Sequence, residues 1–273
     1  LPIKKQKNLI KLFQNKKYIE AEKLAKKINE NYPDNYFSLK ILGAIFNQTD
    51  RLSDAIEVSQ KALKLNPNDS EIYNNLGATF QKQKLFHEAE TSYKKALLIN
   101  PNFTEVYNNL GNTFKELGKT DDSIKCYKKA IKLKPDFPEA HNNISQLLLD
   151  IGKIEEAEMH SKKAIELSPS FSSPYVNLGN VLYKKGKLYD AELNYKKAIS
   201  LQPNFVEAYN NLGNALTGQA KLKEAEGFYK KALEIYPSFL DSFWNLSGLA
   251  ETVIDAENYL DKCLEVDKDT KKE

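Results

Sequence analysis

Arginine is almost absent from this chain. Arg51 is the single guanidinium, and every other member of the 40 basic residues is a lysine. Proteins that read nucleic acids use guanidinium forks on phosphates and guanine edges, and they gather positive charge on one face. Here 37 acidic residues are interleaved with the basic ones and the net charge is only +3, so no DNA or RNA partner is expected. Cysteine is equally scarce. Cys126 and Cys263 fit no metal or redox spacing, which suits a reducing compartment, and a cytoplasmic location is the expectation. No apolar run nears the ~18 residues of a membrane span. The opening Leu1-Pro2-Ile3-Lys4-Lys5 has no apolar core of a signal peptide. It also lacks an initiator methionine, which points to processing or to a longer parent protein. His87, His141 and His160 share no ligand spacing, and no nucleophile elbow, phosphate loop or dinucleotide glycine pattern occurs. Catalysis, a metal and a cofactor are therefore not expected.

What the chain has is a clock. Prolines stand at 33, 67, 101, 135, 169, 203 and 237, each 34 residues after the last. Such a period marks a stack of similar units with a ribbon of core between neighbours, whose function lies on the surface it presents. In residues 70–103, Tyr73, Leu76, Gly77 and Phe80 form one helical stripe, and Ala89, Tyr93, Ala96 and Leu97 form another. Pro101 cannot continue a helix and turns its predecessor out of the helical region. Each unit is thus read as two antiparallel helices, A then B. Gly118, Gly152 and Gly186 share the turn between them, where a left-handed residue closes helix A. Asn68, Asn102, Asp136, Ser170, Asn204 and Ser238 follow the prolines and are read as caps of the next helix. Glycine at 77, 111, 179 and 213 and alanine at 55, 89, 157, 191 and 225 permit close helix contact, and Phe103, Phe137, Phe171, Phe205 and Phe239 are read as packing between units.

A 34-residue helix-turn-helix with aromatic-x2-Leu-Gly-x2-aromatic, then Ala-x3-Tyr-x2-Ala and a closing proline, resembles the tetratricopeptide repeat. The resemblance implies an all-α fold, a right-handed α-α superhelix of about eight helix-turn-helix units running through residues 1–273. The units are 2–35 (degenerate in helix A), 36–69, 70–103, 104–137, 138–171, 172–205, 206–239 and a shortened 240–270. Unit 138–171 departs most, with His141, Ile144, Ser145 and Leu148 at the marker places.

The resemblance also implies that places 2, 5, 6, 9, 12 and 13 of helix A line a concave groove. Place 6 carries Asn75, Asn109, Asn143, Asn177, Asn211 and Asn245; place 5 adds Asn74, Asn108, Asn142 and Asn210; place 9 adds Asn112, Asn180 and Asn214. A primary amide both donates and accepts, so a ladder of amides suits the backbone of an extended polypeptide. Runs of Tyr-Asn-Asn-Leu-Gly-Asn are similar to the superhelical repeat region of O-linked N-acetylglucosamine transferases. Two readings stand side by side: peptide capture by the ladder, and asparagine as a family habit that satisfies local backbone. A clamp for a terminal carboxylate is absent, because Lys40 meets Ala44, Glu105 and Asn109 instead of the required basic set. Acidic place 2 (Glu71, Glu105, Glu139, Glu207, Asp241) suits the helix dipole, and Glu90, Glu158, Glu192 and Glu226 stand four residues before the twin lysines at 94, 162, 196 and 230, the pairing distance of a solvated face. Leu149, Tyr183, Val176 and Trp244 interrupt the polar groove and are candidate apolar anchors, with Trp244 open between groove and core. The expected function is a protein-binding scaffold for an extended or disordered polypeptide. The alternative is a substrate-recruiting arm of a larger group-transfer enzyme.

Overall fold

The computed structural model describes residues 3–249 together with 257–259, 261, 262 and 264. The shortened turn at Asp255-Ala256 and the tail after Val266 lie outside the described residues. The chain divides into two compact units, Leu1–Pro135 and Asp136–Glu273. The first holds α1 (Ile3–Gln14), α2 (Tyr18–Asn31), α3 (Tyr36–Gln48), α4 (Leu52–Leu65), α5 (Ser70–Lys82), α6 (Phe86–Ile99), α7 (Thr104–Glu116) and α8 (Thr120–Leu133). The second holds α9 (Pro138–Asp150), α10 (Ile154–Leu167), α11 (Ser173–Lys184), α12 (Leu188–Leu201), α13 (Val206–Gly218), α14 (Leu222–Ile235) and α15 (Leu240–Leu249). The fold is all-α, built of successive hairpins.

Two turns repeat. Between A and B the backbone N–H of Leu85, Lys119, Lys187 and Lys221 reaches back five residues to Phe80, Phe114, Leu182 and Leu216 carbonyls at 2.8–2.9 Å, the 6→1 bond of a Schellman ending. That ending needs one left-handed residue. It is Gly118, Gly152 and Gly186 in three turns, but Lys16, Asp50, Lys84 and Ala220 in the others, with φ of 55–60°. Glycine spacing alone therefore understated the motif. Between B and the next A, Pro101 and Pro203 are each the second residue of a β-turn, in which Phe103 N–H bonds Asn100 O at 3.2 Å and Phe205 N–H bonds Gln202 O at 3.1 Å; Pro33, Pro169 and Pro237 stand in the same turn. The residue after the proline is the third member of that turn. Asn68, Asn102, Asp136, Ser170 and Asn204 consequently sit ahead of the helix and do not cap it, contrary to expectation. The N-caps are Asn35, whose side chain accepts from Ser38 N–H, Asp69, whose carboxylate accepts from Glu71 and Ile72 N–H, and Phe103, Phe137, Ser172 and Phe205, which make no side-chain capping bond.

Within a hairpin the helices meet through glycine and tyrosine. Tyr93, Tyr127, Tyr195 and Tyr229 are buried against Gly77, Gly111, Gly179 and Gly213; a Cβ on Gly77, Gly111 or Gly179 would stand 2.5 Å from the ring. In α9–α10 the pair is replaced by Ser145 and Ser161, whose hydroxyls bond at 2.6 Å, and His141 meets His160 Nδ1 to Nδ1 at 2.8 Å beside them. Phe103 and Phe205 pack on the cores of their units, as their period suggests.

Within the first unit α1, α3, α5 and α7 touch in succession, as do α9, α11, α13 and α15 in the second; no two B helices touch among the described residues. Each unit therefore curves with its A helices inside. On the outer edge, carboxylates bridge B helices to the following turn: Glu90 pairs with Lys94 (2.6 Å) and Lys119 (2.7 Å), Glu158 with Lys162 (2.6 Å) and Lys185 (2.5 Å), and Glu192 with Lys196 (2.6 Å) and Lys221 (3.2 Å). Lys94, Lys162 and Lys196 are thus neutralised from within their own helices.

Candidate functional site

The doubled asparagines do more than face a groove. Asn109 Nδ2 donates to Asn74 Oδ1 at 3.2 Å, Asn177 Nδ2 to Asn142 Oδ1 at 2.8 Å, and Asn245 Nδ2 to Asn210 Oδ1 at 2.9 Å. Place 6 of one A helix thus clasps place 5 of the preceding A helix, 35 residues earlier each time. Asn177 also donates to the Asn142 backbone oxygen at 3.2 Å, and Ser242 Oγ adds a bond to Asn210 Oδ1 at 3.1 Å. Asn108, Asn142, Asn177 and Asn210 are buried, so these four form the floor of the A face and are not open groove residues, correcting their sequence assignment. The physical reason is close A–A packing, which puts place 5 beneath its neighbour. Asn74, Asn75, Asn109, Asn143, Asn211 and Asn245 are half-buried. Val176 breaks the place-5 row, and Asn211 Nδ2 turns to Asn180 Oδ1 at 3.0 Å instead.

Place 9 is tied to the core. Tyr127, Tyr195 and Tyr229 hydroxyls donate to Oδ1 of Asn112, Asn180 and Asn214 at 2.6, 2.7 and 2.8 Å. Burial pushes the phenol pKa of Tyr127 and Tyr195 upward, so both are protonated donors throughout the ordinary pH range. The bond fixes which end of each amide turns inward: the oxygens of Asn180 and Asn214 are held by the core, and their Nδ2 groups are left on the A face. Where place 9 is Ala78, Tyr93 reaches Gln81 Oε1 at place 12 instead, at 2.5 Å. The need of a buried phenol for an acceptor is the signal that links these positions in sequence, 15 residues apart.

The apolar interruptions separate into two kinds. Leu149 and Val176 are buried and pack in the core, so they offer no groove area. Trp244, by contrast, is 66% exposed and Tyr183 40%. Together with Thr217 and Leu249 they wall a cavity of about 370 Å³, with Asn214 and Asn245 on its rim. Thr217 and Leu249 were missed by sequence reasoning; Thr217 shares place 12 with Tyr183. Lys40 is bound by Asp69 (2.8 Å) and Glu71 (2.5 Å), which removes it from any carboxylate clamp. Burial pushes the Cys126 thiol up to about 12, which makes it a poor nucleophile. Among the described residues no cluster of three metal-ligating side chains occurs, and no helix is long and apolar enough to cross a membrane.

Comparison with known proteins gives one consistent answer. Families described as TPR repeat and Tetratricopeptide repeat match residues 43–84, 111–152 and 179–219, 70–103 and 206–239, 92–125, and 138–171. No curated protein sequence matches the chain. Among solved structures, MamA protein is 31% identical with a TM-score of 0.52, over 62% of this chain and 92% of that one. Pseudomonas aeruginosa pilF is 19% identical with a TM-score of 0.68, over 78% and 97%. YrrB, described as a TPR protein with an unusual peptide-binding site, is 19% identical with a TM-score of 0.52, over 68% and 96%. Hairpins closed by left-handed turns, glycine–tyrosine contacts at a 34-residue period and these matches together make the chain a member of the tetratricopeptide repeat family.

Proposed function

We propose that this protein is a non-catalytic scaffold whose A-helix face captures an extended polypeptide. The observation that carries the reading is the orientation of the place-9 amides. Buried tyrosines hold the oxygens of Asn180 and Asn214, so their N–H groups stand ready for peptide carbonyls on a face that the curvature of each unit makes concave. The place-5 to place-6 clasps support that face and contribute less to binding than the ladder reading assigns them. YrrB, similar in fold, is described as having a peptide-binding site, which agrees with this use of the architecture. The neutral amides, with no free basic clamp, favour backbone capture over recognition of a charged terminus. A recruiting arm for a larger group-transfer enzyme is a second reading, favoured by the Tyr-Asn-Asn-Leu-Gly runs at 73–77, 107–111 and 209–213. A cytoplasmic location belongs to the same proposal.

The test is calorimetric titration with a degenerate pool of blocked, tryptophan-free dodecapeptides. Asn75→Arg with Gln146→Arg crowds the A face of each unit at residues without a side-chain partner among those described, and should weaken binding at least about tenfold. Lys128→Ala with Lys129→Ala on helix B should leave it unchanged. Loss with the second pair and not the first would place the binding surface on the outside.

A further inference from the structure

Trp244 is the single tryptophan of the chain and stands 66% exposed on the A face; Tyr183, 40% exposed on α11, lies across α13 from it. Large exposed aromatics beside a cavity are the groups that most often dominate binding when covered. The slot between them exists because of a missing side chain. Place 9 is asparagine in α11 and α13 but Gly248 in α15, and a Cβ built on Gly248 finds no atom within 4 Å. The lining carries no charged residue. Of its polar groups, the Thr217 and Tyr229 hydroxyls lie 3.2 Å apart and bond each other, and the two amides are complementary. Asn214 has its oxygen taken by Tyr229 and its Nδ2 left as a donor; Asn245 spends Nδ2 on Asn210 and keeps its oxygen as an acceptor. Both are needed by one peptide unit, whose carbonyl accepts and whose N–H donates.

We infer that this slot is an anchor pocket for one large apolar side chain, aromatic by preference, within an uncharged stretch of extended polypeptide. The side chain lies between Tyr183 and Trp244, and its own backbone carbonyl and N–H meet Asn214 and Asn245. The inference rests on the polypeptide-capture reading and gives it a residue-level specificity. An uncharged lining desolvates a cation or a carboxylate without compensation, so charged side chains are rejected. Polar backbone contacts beside an aromatic wall fix the register in which the segment binds.

The experiment uses the full chain and five blocked, tryptophan-free dodecapeptide pools, identical except for a fixed central Phe, Leu, Ala, Lys or Glu. Trp244 fluorescence reports the site directly, because no other indole is present. In the unliganded protein the emission should be that of a water-exposed indole. The Phe pool should shift it to the blue and bind about tenfold tighter than the Ala pool, with Leu between and Lys and Glu weakest. Tyr183→Ala, followed by calorimetry, should erase the Phe-over-Ala preference and keep the affinity for the Ala pool. Gly248→Leu, which fills the slot and raises helix propensity, should erase the same preference without a loss of stability. Equal affinity for Phe and Ala pools overturns the anchor and leaves polypeptide capture standing. No binding of any pool up to about 1 mM, a free energy near 4 kcal/mol, overturns both. A buried-indole spectrum in the unliganded protein, or a preference for a charged pool, overturns the anchor alone.

Discussion

Asn142→Ala tests whether the paired asparagines are structural. Asn142 and Asn177 are both buried, and they share an amide bond of 2.8 Å across neighbouring A helices. Deleting the Asn142 side chain leaves the Asn177 Nδ2 group with only the longer bond to the Asn142 backbone oxygen, 3.2 Å away. A buried polar group that loses its partner costs about 1–3 kcal/mol. Asn177→Ala strands the Asn142 oxygen in the same way and belongs in the same range. Removing both amides removes the stranded group as well, so the double variant should cost less than the sum of the singles by about 1 kcal/mol. Asn75→Ala is the control: the place of Asn177 in its own repeat, half-buried, with no side-chain bond among the described residues, and an expected change within about 0.5 kcal/mol. Urea titration followed by circular dichroism measures all four under identical conditions. Comparison of midpoints avoids assuming that a repeat array unfolds in one step. A silent Asn142→Ala, or strictly additive singles, refutes the clasp. The result also decides how a groove variant is interpreted, since changing Asn177 perturbs the wall as well as the surface.

Gly179→Ala drives a methyl to 2.5 Å from the buried Tyr195 ring and should destabilise by about 1–3 kcal/mol, whereas Gly227→Ala, with open space around it, should stabilise by up to about 1 kcal/mol in the same urea assay. Ala220→Gly relieves a left-handed alanine at φ 60° and should stabilise the protein by about 1 kcal/mol in the same urea assay. Hydrogen bonds from Lys162 and Lys185 hold Glu158 at about 2 against an ordinary 4.5. A lowered folded-state pKa gives stability that is complete above 4.5 and is lost as pH falls toward 2. The part of the acid-induced loss of stability due to this group, under about 1 kcal/mol after solvent screening, should vanish in Glu158→Gln, as followed by melting temperature against pH.

The hairpins, their turns and the A face were legible because each depends on one repeated residue type: proline that cannot sit in a helix, glycine that admits a ring, alanine that admits a helix. The caps were not. A capping-type residue after proline satisfies the local rule, but the proline closes a β-turn that occupies that residue first. The asparagines were half legible. Their register gave the face, but their depth depends on how closely successive A helices pack, a distance no single repeat encodes. Leu149 and Val176 were read as groove residues by place number and are buried by the same close packing, while Trp244 and Tyr183 remain outside it. The tie between Tyr195 and Asn180 needed the buried phenol to be seen as a donor in search of an acceptor.

Each stack is fastened differently along its two edges. The inner edge is stitched by buried and half-buried amides, which carry no charge for ions to screen, the outer edge by lysine–carboxylate bridges, which ions do screen. Raising ionic strength should therefore weaken the outer edge and spare the inner one. Hydrogen exchange in high salt should quicken at the B-helix turns before it quickens along the A helices.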